Sequence, residues 1–178
     1  MPKNYYVKIK LTNQKEINLC LSEKDAPKSV NQFVDLVKKN FFDGTIFHRV
    51  IDNFMIQTGG YKIVDNALTE MDGAPTIEGE FASNGFKDNT IKHKLGVISM
   101  ARTSVKNSAT SQFFICSADC SFLDGEYAAF GYTTDEESNE VIKEVAKVKT
   151  YAPHPAFADF PVEPIGITTI ELLKEENA

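Results

Sequence analysis

The residues most suggestive of chemistry are one cation and an amide set among large apolar side chains. Arg49, Phe54, Met55 and Gln57 all fall within Phe42-Asp-Gly-Thr-Ile-Phe-His-Arg-Val-Ile-Asp-Asn-Phe-Met-Ile-Gln-Thr-Gly-Gly60. An arginine is permanently charged and presents a rigid fork of donors, so beside an apolar pocket it can act on a ligand without exchanging a proton. The alternative for the same residues is structural, with Phe54 and Met55 in a core and Arg49 a solvated or paired surface charge. Other constellations are weaker. His48, His93 and His154 have no metal-ligand spacing and no pair at i, i+4, so no metal site is expected. Ser99, Ser108 and Ser111 lack a strand-turn-helix elbow. Cys116 sits inside an apolar run where a thiol is usually inert, whereas Cys120 lies beside a turn where an exposed thiol is conceivable. Gly59-Gly60 has neither the second half of a phosphate loop nor a following helix, and no cofactor is expected. By elimination, any chemistry rests on an arginine, amide side chains and an apolar pocket.

These side chains need elements to hold them. Phe47, Arg49 and Ile51 alternate with His48 and Val50, and Met55 and Gln57 alternate with Ile56. Two strands joined by Asp52-Asn53 would therefore put Arg49 and Gln57 on neighbouring strands. Upstream, Val7, Ile9 and Leu11, then Ile17, Leu19 and Leu21, read as a half-buried hairpin. Asp25-Ala26-Pro27 supplies a cap candidate and a first-turn proline, and Val30, Phe33, Val34 and Val37 predict a helix over about 27–39. Residues 59–90 hold glycines and polar residues with no long periodic run, so a long connection with one short strand near Ile77 to Phe81 is expected.

Leu95 to Met100 and Gln112 to Cys116 read as buried strands around the polar loop Ala101 to Ser111. Ser121 to Gly125 reads as a tight turn and Ala128 to Tyr132 as a strand. Asp135-Glu-Glu-Ser-Asn opens a second helix with a stripe of Val141, Val145 and Val148. Four of the chain's seven prolines lie between Tyr151 and Pro164, a segment read as extended and irregular. Ile165 to Leu172 reads as a last strand, and Lys174 to Ala178 are expected to fray. Many strands with two separated helices and no βαβ rhythm suggest an antiparallel barrel or sandwich.

A chain of 178 residues, 42% hydrophobic and 25% charged, suits one domain spanning 1–178. The net charge of -6 leaves no basic face for nucleic acid or an anionic membrane. No apolar run approaches spanning length, and the charged N-terminal stretch is unlike a signal-peptide core. The three cysteines lack CxxC spacing, which fits a reducing compartment, and a cytoplasmic monomer is the expectation.

Four ordered blocks carry a resemblance: Phe42-Asp-Gly-Thr-Ile-Phe-His-Arg-Val-Ile with Phe54-Met-Ile-Gln, Gly96-Val-Ile-Ser-Met-Ala101, Ser111-Gln-Phe-Phe-Ile115, and Phe122-Leu-Asp-Gly125 with Phe130-Gly131. With them, nearly the whole chain resembles the cyclophilin-type peptidyl-prolyl cis-trans isomerases, and Ala101-Arg-Thr with Asn107-Ser-Ala-Thr-Ser-Gln112 looks like the bacterial branch. The resemblance implies a mainly β fold, a closed eight-stranded antiparallel β-barrel capped by two α-helices. It implies rotation about X-Pro bonds in proteins, with Arg49 catalytic and Gln57 orienting it. Phe54, Met55, Phe114 and Leu123 would line a proline pocket, with Ala101, Arg102, Thr103 and Gln112 forming the neighbouring groove. Phe122 stands where many eukaryotic members have a cyclosporin-contacting tryptophan, and Tyr127 where they have a rim histidine. Cyclosporin is thus a partner weakened by Phe122, and proline-containing polypeptides are the substrates. A second reading is a non-catalytic peptide-binding chaperone or adaptor using the same groove. A third, a small-molecule carrier, needs an open barrel interior that the many inward Phe, Ile and Val would fill.

Overall fold

The computed structural model describes all 178 residues. Along the chain the strands are β1 (Lys3–Leu11), β2 (Glu16–Ser22), β3 (Arg49–Ile51), β4 (Met55–Thr58), β5 (Tyr61–Val64), β6 (Ala67–Glu70), β7 (Val97–Met100), β8 (Phe113–Cys116), β9 (Ala129–Thr133), β10 (Thr150–Tyr151), β11 (Phe160–Pro161) and β12 (Ile167–Asn177). The helices are α1 (Pro27–Lys38) and α2 (Glu136–Ala146). Eight strands form one sheet in the order β12-β1-β2-β9-β7-β8-β4-β3. Alternation decides its inner face: Val7, Ile9, Ile17, Leu19 and Leu21 are buried, as period-2 side chains on one side of a pleated strand must be.

Helix α1 lays its apolar stripe into the concave face. The Phe33 ring sits 5.1 Å from Phe42, 5.3 Å from Phe113 and 5.3 Å from Phe130. Removing each such ring from water contributes roughly 2 kcal/mol or more. Helix α2 buries Val141, Ile142, Val145 and Ala146. Val148 packs against the same core without being fully buried. Asp135 caps α2 as the sequence suggests, accepting from the Ser138 amide at 2.8 Å. The cap of α1 corrects the sequence reading. Ala26 occupies the cap position with no side-chain bond, and Asp25 instead accepts from Ser22 and Thr90. The first-turn amides of Lys28 and Ser29 and the Ser29 hydroxyl donate to buried Glu80, at 3.0, 2.7 and 2.8 Å.

Three further expectations change. Residues 61–70 form a β5–β6 hairpin that the sequence reading missed, turning at Asp65 and Asn66, both with positive φ. The strand near Ile77 to Phe81 reduces to one bridge between Ile77 and Ala109. Lys174 to Asn177 do not fray but stay in β12, paired with β1 as far as Lys3 opposite Asn177. As to closure, β3 and β12 are the two ends of the sheet order rather than a continuous ladder. They are tied just ahead of β3, where Gly44 N donates to Ile167 O at 2.8 Å, Phe47 N to Ile165 O at 2.9 Å and Ile167 N to Thr45 O at 2.7 Å. No helix is long and apolar enough to cross a membrane.

Candidate functional site

Register places one row of side chains across four strands. Arg49 lies opposite Gln57 in β3–β4, Gln57 opposite Phe114 in β4–β8, and Phe114 opposite Ser99 in β7–β8. Directly opposed residues share a face, so this row stands on the side of the sheet away from the core packed around Phe33. The β3–β4 connection holds the register because Asn53 adopts φ 59°, which Asn tolerates, while Asp52 accepts from the Asn53 amide. Through Phe114 the row joins a second apolar cluster, with Met55, Val97, Cys116, Cys120 and Ala129, that is separate from the core around Phe33.

Polar contacts fix the row in place. Arg49 Nη1 donates to Gln57 Oε1 at 3.2 Å, and Gln57 Nε2 donates to Gln112 Oε1 at 2.9 Å. The glycine pair makes room for this chain: a Cβ on Gly60 would come within 2.5 Å of Gln112 Cδ, and Gly59 holds φ +88° against the Ser111 carbonyl. Arg49 itself is exposed, its guanidinium carbon 5.9 Å from the Phe54 ring centre.

Behind Phe114, buried His93 links two elements. Its Nδ1 bonds to Asp124 Oδ1 and its Nε2 to Ser99 Oγ, both at 2.9 Å. Burial pushes the His93 ring down against the opposing pull of Asp124. For Asp124 burial acts upward, but the hydrogen bonds from His93 outweigh it and hold the carboxyl below the usual range. A neutral imidazole donating to Asp124 and accepting from Ser99 fits both directions. Ser99 is fully buried behind Phe114, so the Ser-His-Asp line braces the turn and offers no nucleophile to solvent. Cys120 is likewise buried, not exposed, and its thiol donates to Phe54 O at 3.2 Å. Hydrogen bonding to Cys120 and burial push the Cys116 thiol up. No group of three or more His, Cys, Asp or Glu side chains is arranged to hold a metal.

The row opens into a cavity of about 380 Å³. Of the sequence candidates, Arg49, Phe54, Met55, Gln57, Ala101, Arg102, Phe114, Leu123 and Tyr127 line it. Gln112 reaches it through Gln57. Thr103 and Phe122 do not line it: Thr103 Oγ1 bonds to Ser108 Oγ, and Phe122 is 69% exposed with its ring 5.6 Å from Phe54. Arg102 serves as wall material. Its guanidinium lies between the Phe81 and Tyr127 rings at 4.8 and 4.7 Å and donates twice to Glu126 O.

A second wall was missed by the sequence reading. His48, Tyr61 and residues 155–159 line the cavity on the Arg49 side. Val50 N donates to Asp159 O at 3.0 Å, which seats that segment beside β3. Tyr61 packs its ring 4.7 Å from His48 and 5.2 Å from Phe157. Burial, with Arg49 next door, lowers the His48 ring to about 4, so it is neutral near pH 7. The available signal was the proline-rich run itself, because proline stiffens a loop enough for it to act as a wall.

A half-open cavity lined mostly by apolar residues, with the Arg49 guanidinium at its mouth and an amide chain behind it, can hold an extended ligand, and known proteins give its class. A family model described as "Cyclophilin type peptidyl-prolyl cis-trans isomerase/CLD" matches residues 6–172. The peptidyl-prolyl cis-trans isomerase A of Dickeya dadantii is 39% identical over 167 residues, 92% of this chain and 83% of the relative. A peptidyl-prolyl cis-trans isomerase of Acinetobacter baylyi is 40% identical over 168 residues, 90% of this chain and 82% of the relative. The crystal structure of a cyclophilin-type isomerase from Cryptosporidium parvum superposes with a TM-score of 0.73 at 23% identity, covering 96% of this chain and 98% of its own. The chain belongs to the cyclophilin-type peptidyl-prolyl cis-trans isomerases, enzymes that speed rotation about X-Pro peptide bonds.

Proposed function

We propose that proline-containing polypeptides bind across this cavity and that Arg49 is the residue that lowers the rotation barrier. Planarity of the peptide bond costs about 18–20 kcal/mol to break, because nitrogen shares its lone pair with the carbonyl. In the twisted transition state nitrogen regains that pair. A donor aimed at it stabilises the transition state more than the planar ground state, and no covalent bond is made or broken. Arg49 can donate without titrating, and Gln57, itself held by Gln112, keeps the fork aimed. Phe54, Met55, Phe114 and Leu123 would grip the proline ring while the preceding carbonyl turns. The whole chain would act as one domain on a barrel closed by the seam between residues 44–47 and 165–167. The observation that carries the reading is the Arg49–Gln57–Gln112 chain at the mouth of an apolar cavity.

The test is exchange NMR on a short Ala-Pro peptide. Arg49→Ala is expected to lower kcat/KM by about a hundredfold, the size of one lost charged interaction in the transition state. Because Arg49 is exposed, its removal should leave the fold intact, which circular dichroism checks. Near-normal turnover by a folded variant would remove Arg49 from the mechanism. Loss of turnover in the wild type, with peptide still bound, would favour the adaptor reading.

A further inference from the structure

Asp159 carries the only carboxylate that lines the cavity. It is half-buried, and it takes part in no side-chain hydrogen bond and no ion pair. Its backbone is pinned to β3 through Val50, so the carboxylate has a fixed seat rather than a wandering one. Arg49, the nearest cation in the cavity, is engaged with Gln57 and lies over Phe54, and makes no ion pair with Asp159. The Phe157 and Tyr61 rings line the cavity with Asp159, 5.2 Å apart and edge to face. The other titratable groups there carry no charge near pH 7: burial, with Arg49 beside it, lowers His48 to about 4, and burial raises the Tyr61 phenol. An unpaired carboxylate beside aromatic faces suits a long basic side chain. Its methylenes can lie along the rings while its head reaches the carboxylate.

The sheet order sets where on the substrate that side chain must lie. Ala101 and Arg102 follow β7, whereas Asp159 sits outside β3, at the other end of the row β7-β8-β4-β3. An extended peptide with its proline between Phe114 and Arg49 therefore has one arm toward Ala101 and the other toward Asp159. We propose that the Tyr61–Phe157–Asp159 flank receives a lysine or arginine on that second arm, so that the enzyme favours proline segments with basic residues on one side of the proline. This rests on the reading of the cavity as the isomerase site. Arg102, on the opposite flank, is held by Glu126 and lies between two rings, so Asp159 is left as the unpaired charge of the lining apart from Arg49.

Two peptides of one composition test it by exchange NMR: one with two lysines before Ala-Pro and two glutamates after, the other reversed. The wild type should turn over one at about fivefold or more the kcat/KM of the other, the scale of one partly exposed charge contact changed in sign. The faster order reports which way the chain lies. Asp159→Asn should shrink the ratio below about twofold while Asp159→Glu retains it, and added salt should shrink it in the wild type. Because the readout is a ratio, a loss of turnover common to both peptides cancels. Equal rates in the wild type, or a preference that survives Asp159→Asn, would overturn the proposal. An alanine-flanked peptide separates the two levels. If it is turned over with Arg49 dependence and no charge order matters, this inference alone fails; if it is not turned over at all, the site reading fails and this falls with it.

Discussion

The two helices begin in opposite ways. Helix α2 caps itself: Asp135 precedes it and accepts from Ser138 three residues on, with Glu136 and Glu137 adding negative charge in the first turn. Helix α1 has Ala26 at the corresponding position and no acidic residue in its first turn. Its acceptor is Glu80, 51 residues beyond Ser29. The first arrangement is local and stabilises one helix end. The second ties the helix to a distant loop, so a single carboxylate both caps the start of the helix and anchors the loop at residue 80. That loop matters to the site, because the next residue, Phe81, forms one face of the slot that holds Arg102. A cap made from far away does two jobs at once, and losing it should cost accordingly.

The contrast is open to direct attack. Glu80→Ala strands the Ser29 amide and hydroxyl at a buried place and the Lys28 amide at a partly buried one, and an expected loss of about 3 kcal/mol in denaturant unfolding follows from removing one acceptor from three donors. Asp135→Ala should cost about 1 kcal/mol by the same measurement, the usual value of a replaced cap. Equal losses would mean that water replaces Glu80 as readily as it replaces Asp135. The smallest effect is in pH. Hydrogen bonds from Ser138 hold the Asp135 carboxyl below its ordinary value. Stability from a depressed carboxylate is present above its unfolded pKa and is lost as pH falls through the folded one. The gap between wild type and Asp135→Ala should therefore be flat near neutrality and narrow below about pH 4. A gap that instead widens in acid would show that the carboxylate's charge is not what caps the helix.

The same distinction explains what could be read from the sequence. The β1–β2 hairpin, both helices and the β3–β4 pair write their burial as a period of two or 3.6, which places Arg49 and Gln57 on neighbouring strands; that they stand directly opposite depends on a three-residue connection, Asp52-Asn53-Phe54, one longer than the turn read from the sequence. Nine of the residues singled out beforehand surround one cavity because they sit on such strands or on the loops that connect them. What escaped notice depends on partners far along the chain. Glu80 looks like any loop acid until Ser29 is placed beside it. Tyr61 looks like one more residue of a long connection until Phe157 arrives to pack on it. The β5–β6 hairpin carries mostly exposed residues, so it leaves no apolar alternation, although Asp65-Asn66 was a turn signal in plain view. Lys174 to Asn177 read as a fraying tail because their side chains are polar. Their pairing with β1 uses backbone groups, which sequence does not display.

That last pairing also has a meaning in time. Strand β1 lies between β2 and β12. Its partner on one side follows within a few residues, but the other edge pairs with residues 167–177. During synthesis at about 5–20 residues per second, the first strand made must wait many seconds with one edge bare, and bare edges recruit other chains. Two charges of β1, Lys3 and Lys10, end up paired with Glu175 and Glu171 of β12, whereas Lys8 pairs with Glu16 on the β2 side. Before Glu171 and Glu175 arrive, Lys3 and Lys10 guard an edge that has nothing yet to bind.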